Sequence, residues 1–145
     1  MKTVMIFGTF DKLHPGHINF ITQAKKYGDY LVLVLARDET IKKLKGHWPI
    51  ENIEVRAHNI AVTELVDLIF YGKLSGYYQV IKKYKPDIIC LGYDQTHFID
   101  KLEEKINKYG LISKIVRLKS YRPNIYKTSI IKHTINTQIY TNITD

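Results

Sequence analysis

A chain of 145 residues is long enough to bury a core of its own and too short to require two domains. With 45% hydrophobic and 25% charged residues it is not a disordered polyelectrolyte, and its longest apolar run, residues 30–36, falls far short of the roughly 20 residues that cross a bilayer. The net charge of +8, from 22 Lys and Arg against 14 Asp and Glu, brings a polyanionic partner into consideration, either nucleic acid or a phosphate-rich small molecule, with solvation as the bland reading of the scattered lysine pairs.

In chain order, residues 3–7 read as a first strand, reached directly from Met1 with no signal-peptide stretch before it, so the protein is expected in the cytoplasm and not at a membrane. Residues 17–27 have helical spacing, with Ile18, Ile21 and Ala24 on one side and Gly28 placed to end the helix. Residues 30–36 are nearly continuous Leu and Val, as in a strand buried on both faces, and Asp38 is placed to cap a helix over 39–44. A loop around 45–49 precedes a helical stretch over 53–65, a short strand at 68–71, a helix over 77–83 and, after Pro86, a strand at 88–91. A helix over 101–109 ends at Gly110, residues 114–118 form the last strand, and a final helix starts near Thr128. The single Cys90, between Ile89 and Leu91, reads as a small buried hydrophobe and not as a reactive thiol.

Short β-branched runs that alternate with amphipathic stretches specify β-α-β units. The expected fold is α/β, a Rossmann-like doubly wound five-stranded parallel sheet with helices on both faces, occupying residues 1–135. Residues 136–145, polar and rich in Thr and Asn, are expected to form a frayed tail. In such a sheet ligands bind beyond the carboxyl ends of the strands, at the switch in strand order, which directs attention to the residues that follow each strand.

Immediately after the first strand come Gly8, Thr9, Phe10, Asp11, Lys12, Leu13, His14, Pro15, Gly16 and His17. Two imidazoles three residues apart therefore stand where a helix begins, beside its unpaired N–H groups and the positive end of its dipole, and Gly16 lets a ligand approach the backbone. When a nucleotidyl group is transferred in line, negative charge builds on the α-phosphate oxygens and on the departing pyrophosphate, and imidazole N–H groups aimed there stabilise the transition state. The bland reading of a lone His-x-x-His is a helix cap or a metal site. The Gly-Thr-Phe-Asp prefix and the place after a first strand favour phosphate.

This decamer resembles the Gly-Thr-Phe-Asp-x-x-His-x-Gly-His signature of the cytidylyltransferase-like nucleotidyltransferases, and the likeness covers nearly the whole chain. The resemblance implies that His14 and His17 contact a triphosphate, that Thr9 and Phe10 lie along the nucleotide with Gly8 and Gly16 beside it, and that Asp11 organises the loop and a metal or is simply a turn-former. It also implies a lysine that reaches the triphosphate from a loop, with Lys45 as first choice and Lys42 as second, and an arginine after that loop, matched by Arg56, whose bland alternative is a surface ion pair. His14, His17, Lys45 and Arg56 are thus the expected catalytic set. The loop that Gly92 opens, with Asp94 and Gln95 able to read donor and acceptor edges, is expected to hold base and ribose. Arg122, Lys127, Thr128 and Ser129 match a second phosphate cradle at the start of the last helix.

Within the family, Lys85-Pro86-Asp87-Ile88-Ile89 and Leu91-Gly92-Tyr93-Asp94-Gln95-Thr96 look closer to the archaeal-type FAD synthases, which move AMP from ATP to FMN, than to the glycerol-3-phosphate cytidylyltransferases, which use CTP. The cytidylyltransferase ending is present only in part, as Arg122-Pro123-Asn124-Ile125-Tyr126-Lys127-Thr128-Ser129. The resemblance therefore implies an NTP, ATP before CTP, an anionic phosphorylated acceptor, Mg²⁺ or another divalent cation, and a homodimer. A reading of a different class is a non-catalytic nucleotide- or nucleic-acid-binding protein. Nucleic acid is not expected, because the sequence shows no aromatic–basic interleaving of the RNA-recognition kind.

Overall fold

The computed structural model of the chain describes residues 1–74, 78–93, 95 and 101–120. Their element order is β1 (Thr3–Gly8), α1 (Pro15–Lys25), β2 (Tyr30–Leu35), α2 (Asp38–Lys45), α3 (Ile53–Ala61), β3 (Leu68–Tyr71), α4 (Gln79–Tyr84), β4 (Ile88–Leu91), α5 (Leu102–Lys108) and β5 (Lys114–Arg117). The strands form one parallel sheet in the order β3-β2-β1-β4-β5. Succession runs outward from β1 through β2 to β3 and then returns to the other side of β1, so the switch in strand order falls between β1 and β4. The expected helix near Thr128 and the tail lie outside the described residues.

Burial on both faces explains the continuous apolar strands. Val4 and Ile6 of β1, with Leu31, Leu33 and Leu35 of β2, pack beneath α1 and α3 through Ile18, Ile21, Ala24, Ile53 and Ile60. Met5, Phe7, Val32 and Val34 point the other way, against Val80 and Ile81 of α4 and Leu102 and Ile106 of α5. Each fully buried aliphatic side chain contributes about 1.5–3 kcal/mol, so the two faces together supply the main favourable term of the fold. Among the described residues no helix is long and apolar enough to cross a membrane.

The amino edge of the sheet is stapled by three aspartates, each one residue before a strand. Asp29 accepts from the Lys2 N–H at 2.9 Å, Asp67 from the Leu31 N–H at 2.8 Å and Asp87 from the Thr3 N–H at 2.8 Å. Each carboxylate ties the entry of its own strand to a neighbouring one, so the strands start in register.

Several boundaries differ from the expected ones for local reasons. Helix α1 starts at Pro15, because His14 caps it, and ends at Lys25. Gly28 is needed for space instead: a Cβ there would lie 2.6 Å from the Lys2 carbonyl oxygen. Arg37, not Asp38, is the N-cap of α2, and Asp38 stands in its first turn. Helix α3 stops at Ala61 because the Thr63 hydroxyl donates to the Ile60 carbonyl at 2.6 Å and Glu64 turns left-handed at φ +59°.

Cys90 is fully buried in β4, and desolvation pushes its thiol up to about 12. A raised value means that the unfolded thiol ionises first, so this contribution to stability is complete below about 9 and is lost as pH climbs toward 12. The folded protein at pH 8 is expected to leave a thiol-disulfide reagent unreacted until denaturant is added; prompt stoichiometric reaction without denaturant would contradict the burial.

Candidate functional site

The loops after β1 and β4 flank the switch in strand order, and hydrogen bonds tie them to each other. The Gln95 amide donates to the Phe7 carbonyl at 3.1 Å and accepts from the Gly92 N–H at 3.1 Å. Arg117, at the end of β5, donates to the carbonyls of Gly92 and Gln95 at 2.6 and 2.7 Å. On the other flank the Ala36 N–H donates to the Gly8 carbonyl at 3.0 Å, which fixes the exit of β2 against the signature loop.

His14 is the N-cap of α1, in extended backbone at φ −140°, with Pro15 following at the first helical position. Its Nδ1 accepts from the Gly16 N–H at 3.0 Å, and Nδ1 of His17 accepts in return from the His14 N–H at 3.3 Å. This is a capping box built from two imidazoles in place of the usual hydroxyl and carboxylate. A ring nitrogen that accepts carries no proton, so the hydrogen-bond pattern assigns the proton of each neutral ring to Nε2. The rings stack at a centroid distance of 3.8 Å and 21° between planes.

The capping contacts thus use Nδ1 of each ring. No acidic residue stands in the first turn of α1, so the positive end of the helix dipole is not neutralised from within the helix. The arrangement suits an anion that meets Nε2–H donors and helix amides together.

The loop between Gly8 and His14 is shaped by contacts that the sequence does not display. Phe10 and Lys12 both adopt φ +51°, a left-handed conformation that costs energy for residues with a Cβ and persists only when the surroundings hold it. Both oxygens of Asp11, which is 7% exposed, accept backbone N–H groups, from Ile50 at 2.7 Å and Glu51 at 2.9 Å. Glu51 in turn accepts from the Lys12 N–H at 2.9 Å. Asp11 therefore organises two loops at once.

The left-handed turn at Phe10 sends its ring inward, 4% exposed, where it stacks on Phe20 and meets the edge of His17. The Phe10 ring is thus core and supports the histidine, which leaves its backbone as the part that could lie along a nucleotide. The same packing explains Gly8, because a Cβ there would stand 2.6 Å from the Phe10 ring. Gly8→Ala is expected to destabilise the fold by about 1–3 kcal/mol through that clash. Thermal denaturation checks it, and an unchanged midpoint would contradict the placement of the ring.

Arg56 is fully buried. Its Nε donates to the Glu51 carbonyl at 2.9 Å, Nη1 to the Thr9 carbonyl at 2.8 Å and Nη2 to Asp38 at 2.6 Å. Buried in this way it is not a surface ion pair but a clamp that joins the signature loop, the start of α2 and the turn before α3.

The Gln95 amide holds the β4 loop against β1. Lys42 and Lys45 are exposed on α2, and the Lys42 ammonium donates to the carbonyl of the C-cap residue Gly46 at 3.0 Å. The structure brings together Gly8, Thr9, Asp11, His14, Gly16, His17, Arg56 and Gly92. Asp94, Arg122, Lys127, Thr128 and Ser129 lie outside the described residues. Asp38 as a partner of Arg56, Glu51 and Arg117 were missed; Arg117 ends a strand at the carboxyl edge, a position that alone could have drawn attention.

A cytidylyltransferase-like family model matches residues 5–134. The chain is similar to the FAD synthase of Aciduliprofundum boonei, 44% identical over 83% of this chain and 80% of that protein. It is similar also to the FAD synthase of Thermococcus onnurineus, 36% identical over 92% and 91%. Among solved structures, the lipopolysaccharide core biosynthesis protein from Thermoplasma volcanium GSS1 matches with a TM-score of 0.78 at 42% identity, covering 84% of this chain and 99% of that one.

Proposed function

Because this chain belongs to the cytidylyltransferase-like family, a group of nucleotidyltransferases, we propose that it is an FMN adenylyltransferase, which joins AMP from ATP to FMN and releases pyrophosphate. The observation that carries the choice of substrates is the level of identity to curated FAD synthases over most of the chain. A phosphate oxygen of FMN attacks the α-phosphorus of ATP, a new P–O–P link forms, and the bond to the β-phosphate breaks in line with the attack.

In this proposal the N–H groups of the first turn of α1 and the Nε2–H donors of His14 and His17 meet the charge that develops on the α-phosphate and the leaving pyrophosphate. Thr9, Gly16 and Gly92 supply close backbone approach, and Lys42 and Lys45 neutralise the outer phosphates from α2. Arg56 and Asp11 touch no substrate; they hold the loop that does. From sequence, Asp94 serves the base, and Arg122, Lys127, Thr128 and Ser129 form a second phosphate cradle.

The proposal extends to a divalent cation such as Mg²⁺ that arrives with ATP. Among the described residues no group of three or more His, Cys, Asp or Glu could hold a metal, and both Asp11 oxygens accept backbone N–H groups. That fits an ion coordinated largely by phosphate oxygens and water, with few protein ligands. A homodimer acting in the cytoplasm completes the reading, and sedimentation measures the first of these.

A thermal-shift series tests the substrate choice, because a ligand that prefers the native state raises its stability by mass action. ATP, FMN and FAD should raise the midpoint while CTP and CDP-glycerol leave it in place. The reverse pattern would transfer the chain to the glycerol-3-phosphate cytidylyltransferase branch.

A further inference from the structure

On the face of the sheet opposite α1, helices α4 and α5 and the end of β3 line an open groove of about 800 Å³. Lys73, Lys82, Lys83, Lys105 and Lys108 line it, and among the described residues no carboxylate does. The two carboxylates in the first turn of α5, Glu103 and Glu104, are exposed and outside the lining.

Three rings, Phe70, Tyr78 and Tyr109, share the wall with the lysines. The Lys82 ammonium stands 5.7 Å from the Tyr109 ring centre, Lys83 stands 5.8 Å from Phe70, and Lys105 stands 5.9 Å from Tyr78. Cation–π contact with the rings gathers the ammonium groups around one space although they repel one another. An anion with several charges relieves that repulsion, and the groove volume is that of a whole small-molecule ligand and not of a lone phosphate.

We propose that this groove is a second nucleotide site, which binds a nucleoside di- or triphosphate with its phosphates among Lys82, Lys83 and Lys105 and its planar base on the tyrosine rings. The phosphate chain satisfies the charge, and the base satisfies the aromatic wall. Helix α1 packs on the opposite face of the sheet, so the nucleotide held here is not the one that presents its α-phosphate to His14 and His17. The inference is independent of the choice of FMN as acceptor.

Limited acetylation of the full chain, read lysine by lysine by mass spectrometry, tests it. At low salt, ADP is expected to slow acetylation of Lys82, Lys83 and Lys105 at least threefold, and to do so equally in a His14→Asn variant. Equal acetylation with and without ADP would overturn the proposal, as would protection that vanishes in His14→Asn, since the groove would then report the signature site. Pyrophosphate that protects as well as ADP would overturn the role of the rings. Single-stranded RNA that protects at a lower nucleotide concentration than ADP would overturn the small-molecule assignment in favour of a polynucleotide.

Discussion

Replacing His14 or His17 with Ala is expected to lower the rate of FAD formation by about two to three orders of magnitude, the usual consequence of removing one preorganised donor from a developing charge. The structure adds a second effect. Both rings also cap α1 through Nδ1, so each Ala variant should lose about 1 kcal/mol of stability along with activity. The two effects separate in His14→Asn, because Asn is among the best N-caps but cannot reach as far as Nε2. That variant is expected to unfold in urea at nearly the wild-type midpoint while its kcat stays low. Near-normal kcat in both Ala variants would contradict the assigned role of the rings.

Arg56→Met should be the most destabilising change among the site residues, by about 3–5 kcal/mol, because it removes one member of a buried charged network and strands the others. The Thr9 and Glu51 carbonyls would lose their donor, and Asp38 its partner. Against a total stability of about 5–15 kcal/mol for an ordinary domain, that is a large share. Arg56→Lys keeps the charge but cannot span three acceptors that point in different directions. It should therefore fold, and at a temperature where it is fully folded its kcat should still be reduced, because the Thr9 backbone is no longer held. Urea denaturation and activity measured on the same preparation check both parts. A Met variant as stable as the wild type would contradict the clamp.

Much of the architecture was legible because it follows from short-range patterns. The apolar runs of β1, β2 and β4 are buried on both faces, and the helical spacing of Ile18, Ile21 and Ala24 predicts the face of α1 that packs on the sheet. What was not legible depends on contacts between distant residues. The Arg56–Asp38 pair spans 18 positions and two helices, and no periodicity signals it. His14 is a rare choice of cap, which is why the helix was expected to start after Gly16 instead of at Pro15. The burial of the Phe10 ring was not legible either, since it follows from a left-handed turn that no spacing signals. The three stapling aspartates could have been noticed: Asp29, Asp67 and Asp87 each stand directly before a strand.

The claim that this fold transfers AMP to FMN can be read from a single labelled atom. With ATP labelled at the α-phosphorus, FMN and Mg²⁺, the label is expected in FAD, with unlabelled pyrophosphate released in equal amount. Label that stays in ATP with FMN present, while α-labelled CTP passes its label to glycerol 3-phosphate, would contradict the account.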